Sequence, residues 1–298
     1  MMGYGKRVCN AMVLRPFSVA AFRLPCRIAL CSHLLLSSQD YTSVRKGYNS
    51  GRKGYETRET SRPREAKSPL NKIAWPLFSA CKNKEPLSER ELDTHLRSLA
   101  KLLPRMQKFS EQQGSCVPIK EVAFLLYSLQ TFKSDDAYGT EFVKLLTAIL
   151  PICEPFGAQA VGMSLIGLRG MSSDNKDVLS LLSELAAKID TCTELLKAQE
   201  VGTALYGLQA MSSSDAVVRD LLRVLTAKID KCTVPMDVPI MISIMREVSW
   251  LSSDEPEVLG LVTVLVSKIP SWKEALALSG QAKDAPPLNV RLQRYLQK

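Results

Sequence analysis

Histidine is nearly missing from this 298-residue chain, which has only His33 and His95. Neither has a partnered nucleophile, which argues against hydrolase-type triads. None of the eight cysteines forms a C-x-x-C pair, so zinc-ribbon and redox spacings are missing too. Gly-Lys-Ser/Thr, the mark of a phosphate loop, is lacking from glycine-bearing strings such as Gly162–Gly167. No segment alternates with the period of two that a half-buried strand needs. Long apolar runs are also wanting: Arg23, Pro25 and Arg27 break the one near the N-terminus, where a membrane span needs about 20 uninterrupted apolar residues. The expectation is a protein that is not an enzyme, with no metal, cofactor or small-molecule substrate and no membrane span.

Acidic residues are absent before Asp40, while Lys6, Arg7, Arg15, Arg23 and Arg27 punctuate small and apolar residues. Arg-rich, Ser-containing and acid-poor is the composition of an organellar transit peptide. Residues 1–40 are therefore expected to direct the chain to the mitochondrial matrix, with the plastid as alternative. A secretory signal fits less well because the same arginines interrupt its apolar core. Residues 41–84 begin polar, charged and nearly free of aliphatics, and are expected to be a disordered basic linker. The formal charge of +9 is concentrated here: residues 1–72 hold 14 Lys/Arg against 4 Asp/Glu, and residues 73–298 hold 25 against 26. A basic protein overall is thus a nearly neutral body behind a basic leader, and any basic groove must come from local clustering.

What the chain does have is repetition. Residues 158–195 recur in residues 198–235 at a spacing of 40: Gln159 with Gln199, Val161 with Val201, Gly167 with Gly207, Leu168 with Leu208, Met171 with Met211 and Lys188 with Lys228. Val258, Leu261, Leu265 and Lys268 continue the pattern, and Val122, Leu126, Leu129, Phe142 and Leu146 precede it at a spacing of 39. A weaker copy of the first half falls on Leu92, Leu96, Leu99 and Leu103. A period between 20 and 50 residues marks an array whose units cannot bury their apolar faces alone. Val161, Leu165 and Leu168 lie at i, i+4, i+7, and Val178, Leu181, Leu182, Leu185 and Ile189 form a second stripe, so each unit reads as two helices. The expected fold is all-α: an α-solenoid of stacked helix-turn-helix repeats with a period of about 40 residues. Its array spans 85–278 in about four units, best defined at 156–195 and 196–235, with a C-terminal tail at 279–298. Asp174, Ser214 and Asp254 are expected to cap the second helices, with Asp177 and Glu257 in the first turn. The glycines at 162, 167, 202 and 207 lie inside first helices, where each costs about 1 kcal/mol against alanine. Close approach of neighbouring units is the expected return. Cys153, Cys192 and Cys232 are one repeat position seen three times, read as a small apolar residue after the second helix.

The motif A-Q-x-V-G-x-(A/S)-L-(Y/I)-G-L, then M-S-S and a second helix ending A-K-I, resembles the octotricopeptide and heptatricopeptide repeat proteins of organelles. Leu205-Tyr206-Gly207-Leu208, Leu165-Ile166-Gly167-Leu168 and Leu126-Tyr127-Ser128-Leu129 carry the likeness over about 190 residues from Pro86. The proline-rich signature of octotricopeptide units is lacking. The resemblance implies an α-solenoid that binds organellar RNA and assists its processing, stability or translation.

In such an array the first helices line the ligand surface. Its non-core positions are Tyr127, Gln130, Gln159, Arg169, Gln199, Thr203, Tyr206, Gln209 and Arg246. Aromatic stacking and hydrogen bonds to base edges are the expected physics for single-stranded RNA. Gln130, Arg169 and Gln209 are repeat-equivalent, as are Tyr127 and Tyr206. Two functions follow. One is binding of an organellar transcript or ribosomal RNA through a basic stripe of Lys101, Arg105, Lys108, Lys120, Arg169 and Arg246. The other is a protein–protein scaffold on the same solenoid, favoured by the neutral body and the apolar set Met236, Met241, Met245 and Trp250.

Overall fold

The computed structural model describes residues 68–114, 116–232, 244, 248, 251 and 255–268. The leader at 1–40, the linker up to 67, the tail at 279–298, Met236, Met241, Met245, Trp250, Asp254 and Arg246 lie outside the described residues.

The described part is all-α. Its helices are α1 Asn71–Asn83, α2 Glu89–Gln113, α3 Ile119–Ser128, α4 Ala137–Ile149, α5 Ala158–Ile166, α6 Lys176–Asp190, α7 Ala198–Gly207, α8 Ala216–Asp230 and α9 Pro256–Ser267. Short 3-10 turns extend α3, α4 and α5. Among the described residues there is no strand, only an isolated parallel bridge between Val117 and Cys153.

Helices pack on the next but one in sequence. α1 contacts α3, α3 contacts α5, and α5 contacts α7; likewise α2 meets α4, α4 meets α6, and α6 meets α8, which meets α9. Each α-helix therefore buries its stripe between two rows. Val161, Leu165 and Leu168 are fully buried in the first row, and Val178, Leu181, Leu182, Leu185 and Ile189 in the second. One continuous core runs from Leu70 to Leu265. At about 0.8 kcal/mol per buried CH₂, the burial of such leucines dominates the stability of the helices.

Two expectations change. Helix α1 lies inside the stretch expected to be linker, because Leu70, Ile73, Ala74 and Leu77 form a buried stripe that packs on α3. Pro76, six residues into that helix, hides the pattern in the sequence. As a result Leu92, Leu96 and Leu99 belong not to a first helix but to α2, which packs beside α4 in the second row.

The second-helix caps fall one residue later than expected. Asn175 is the N-cap of α6, its Oδ1 accepting from Asp177 N at 2.8 Å, and Asp215 is the N-cap of α8. Asp174 instead closes a small loop with Ser172, whose Oγ donates to Asp174 Oδ2 at 2.9 Å; Ser214 pairs with Ser212 in the same way at 2.7 Å. Close approach is real at two glycines. A Cβ on Gly167 would lie 1.8 Å from Leu126 O, and one on Gly207 would lie 1.9 Å from Leu165 O. Gly162 meets nothing nearer than Glu200 Cα at 3.4 Å, which is ordinary contact.

Candidate nucleic-acid interface

Side chains tie each unit to the one before it, and these ties decide which polar groups are left for a ligand. Ser134 Oγ accepts from Ser172 N at 2.5 Å, and Ser173 Oγ accepts from Ser212 N at 3.0 Å. Lys188 Nζ donates to Cys153 O at 2.9 Å; Lys228 Nζ donates to Asp190 O at 2.6 Å and Cys192 O at 2.7 Å; Lys268 Nζ donates to Asp230 O. These ammonium groups sit at the carbonyl ends of the preceding second helices, where the helix dipole favours them. Glu154 Oε2 accepts from Ile119 N at 3.0 Å, and Glu194 Oε2 accepts from Ala158 N at 2.6 Å, so the segments that follow α4 and α6 cap the N-termini of α3 and α5. Helix α7 is capped locally, with Lys197 N donating to Glu200 Oε2 at 2.9 Å. The repeated lysines and glutamates are structural.

The candidate residues fall into three groups. Tyr127 and Tyr206 are core residues at 7% and 8% exposure. The Tyr127 ring meets Phe78 edge-on at 5.2 Å, and the Arg169 guanidinium lies 4.8 Å from the Tyr206 centroid. Gln130 turns inward, its Nε2 donating to Tyr127 O at 3.0 Å. Gln159 is exposed on α5, while Gln199, Thr203 and Gln209 are half-buried on and after α7. The structure thus joins Arg169 to Tyr206 across a unit boundary, and Arg246 lies outside the described residues.

The expected basic stripe divides between the rows. Lys101, Arg105 and Lys108 are exposed on α2, whereas exposed Lys120 and half-buried Arg169 belong to the first row. Arg97 precedes them on α2, paired with Asp93 at 2.9 Å. No carboxylate among the described residues pairs with Lys101, Arg105 or Lys108. Burial holds His95 below its ordinary value, against a weaker upward pull from Glu91, so it adds no charge to α2 at neutral pH.

Sequence reasoning missed an aromatic cluster at the start of the first row. Phe78 stacks on Phe124 at 4.3 Å, and Trp75, 48% exposed, leans on both at 5.8 Å. Ile73, Ala74 and Leu77 fall at helical spacing beside Trp75 and Phe78, but Pro76 interrupts that pattern and the partner ring of Phe124 lies on a helix distant in sequence.

The thiols of Cys81 and Cys153 are held protonated. Burial pushes the Cys153 thiol up to about 11, against the opposing pull of Lys188, and pushes Cys81 up to about 12, against a hydrogen bond from Gln130. Thiols of this kind are poor nucleophiles and poor metal ligands. No His/Cys/Asp/Glu group among the described residues is arranged to hold a metal ion, and no helix among them is long and apolar enough to cross a membrane.

Comparison of the chain with protein-family models, with curated proteins and with solved structures gives no match.

Proposed function

We propose that the chain is an organellar α-solenoid of about 40-residue repeats, akin to the octotricopeptide and heptatricopeptide proteins, that binds single-stranded or ribosomal RNA in the mitochondrion and supports its processing, stability or translation. The next-but-one packing of helices and the recurrence of inter-unit bonds at separations of 35 to 39 residues support the repeat architecture. The acid-poor, Arg-rich first 40 residues support import.

One observation carries the RNA-binding role. In a body whose charges balance, the stretch from Leu96 to Ser110 on α2 holds four cations and no acid, and Lys101, Arg105 and Lys108 are exposed and unpaired with carboxylate among the described residues. Exposed cations that no carboxylate neutralises favour a polyanion, and releasing its counterions supplies the affinity. The buried tyrosines are left to the core, and Gln159, Thr203 and Gln209 are the candidates for base edges. With so few units the base-reading surface is short, so the protein acts with partners on the same RNA.

Crosslinking and immunoprecipitation of the tagged protein from isolated mitochondria, with sequencing of attached RNA, tests this. A defined transcript or ribosomal RNA footprint is expected, lost in the K101E/R105E/K108E variant. Stable co-purifying proteins with no crosslinked RNA would overturn RNA binding and leave the scaffold.

A further inference from the structure

We propose that the outer face of α1, together with the start of α3, is a stacking subsite for single-stranded RNA, with Trp75 as the base platform and Lys72, Lys82 and Lys120 as its phosphate contacts. The subsite rests on the RNA-binding role above and names where that RNA is gripped.

Trp75 exposes 48% of its surface, yet its indole is held. Phe78 meets it at 5.8 Å and 42°, and Phe124 at 5.8 Å and 62°, while Phe78 and Phe124 stack on each other at 4.3 Å. An aromatic ring braced on one side and open on the other loses little entropy when a base stacks on it. Lys72, Trp75 and Lys82 recur at i, i+3 and i+10 on α1, which places them on one helical face about 15 Å long. Both lysines are exposed, and the sequence of α1 contains no acid. Across the cluster, Lys120 Nζ sits 5.9 Å from the Phe124 centroid.

Charge decides the occupant. An apolar protein surface laid over Trp75 would strip water from three ammonium groups that have no carboxylate partner among the described residues. A nucleic-acid strand presents a π-face to the indole and phosphates to the lysines in the same step. This chemistry is stacking and charge rather than edge readout, so the subsite accepts any base of the strand.

The test uses the full chain with W250F and W272F, which leaves Trp75 as the sole indole. Titration with oligouridylate and oligoadenylate is expected to quench its fluorescence with the same midpoint as filter binding. W75A should raise Kd roughly five- to one-hundred-fold, with W75F intermediate, as for loss of one stacked base. K72Q/K82Q/K120Q should flatten the slope of log affinity against log salt by about 2, for three single-strand phosphate contacts. Unchanged Kd in W75A, or no quenching while the unsubstituted chain binds RNA, would overturn the subsite and leave the RNA-binding role standing. Shielding of Trp75 from iodide in the free protein would overturn it too, since another segment of this chain would then occupy the face. Failure of the unsubstituted chain to bind either oligonucleotide would overturn both. If W75A does not fold, the quenching titration decides.

Discussion

Gly167 and Gly207 are the residues on which the spacing of the first row depends. Any Cβ there would strike a backbone carbonyl below 2 Å, and a carbonyl in a helix cannot swing aside as a side chain does. Gly207→Ala is therefore expected to destabilise the protein by about 1–3 kcal/mol despite the gain in helix propensity. Gly162→Ala, which meets only Glu200 Cα at 3.4 Å, should be neutral or stabilising by up to about 1 kcal/mol. Urea melts of the two variants distinguish the sites, and equal effects would show that the glycines are interchangeable. The repeat spacing made the need for glycine at 167 and 207 legible, but not its absence at 162, because sequence reports the recurrence of a residue and not the distance to its neighbour. A second residue-scale consequence follows from the thiols. Below 9.0, the ordinary cysteine value, folded and unfolded chains alike keep the Cys153 proton. Between 9.0 and about 11 the unfolded chain releases it and the native state does not, so stability should fall as pH rises through that window. Maleimide labelling of the native protein near neutral pH should modify exposed Cys116 well before Cys81, Cys153, Cys192 or Cys232. Uniform labelling would contradict the buried positions.

Helices here are completed by groups from outside themselves. Neither Pro118 nor Gly157 offers a side-chain cap, and the donors they leave open are met by Glu154 and Glu194. The carbonyl ends are met by Lys188, Lys228 and Lys268. Lys228→Met keeps the length of the stem but removes the charge, and should cost about 1 kcal/mol, an effect that shrinks in high salt. Glu194→Ala should cost a similar amount, as for loss of an N-cap. Thermal melts at low and high salt would check both, and salt-independent losses would show that packing rather than charge is responsible. The apolar stripes of α5 to α8 were readable from their period, while α1 was not, because Pro76 and a lysine-rich approach mask Ile73 and Leu77. The caps were misplaced by one residue because Asp174 and Asn175 are both good capping types, and the choice depends on the loop that Ser172 closes.

At the scale of the molecule, contacts run from each helix to its next-but-one neighbour, so opening is expected to start at the flanks. Amides of α5 and α6, with a row neighbour on each side, should exchange more slowly than those of α1 in native-state hydrogen exchange. Faster exchange at α5 would show that the core is not continuous. The charge map was legible in part: the neutral body was plain from the count, but the division of Lys101, Arg105 and Lys108 from Lys120 and Arg169 depends on which row each helix joins. The aromatic cluster around Trp75 was out of reach for the same reason, since its rings come from two helices far apart in sequence.

The Ser and Lys bonds between repeats have an evolutionary corollary. Ser134 and Ser173 each offer an acceptor to the repeat that follows, and Lys188, Lys228 and Lys268 each bring a donor to the repeat that precedes. Duplication of one whole repeat would therefore insert matching halves of both bonds at both new junctions. An insertion of any other length would part both at once. Such a chain would lengthen or shorten in whole steps, and the recurrence of 20 of 38 residues between 158–195 and 198–235 is what such a step would leave.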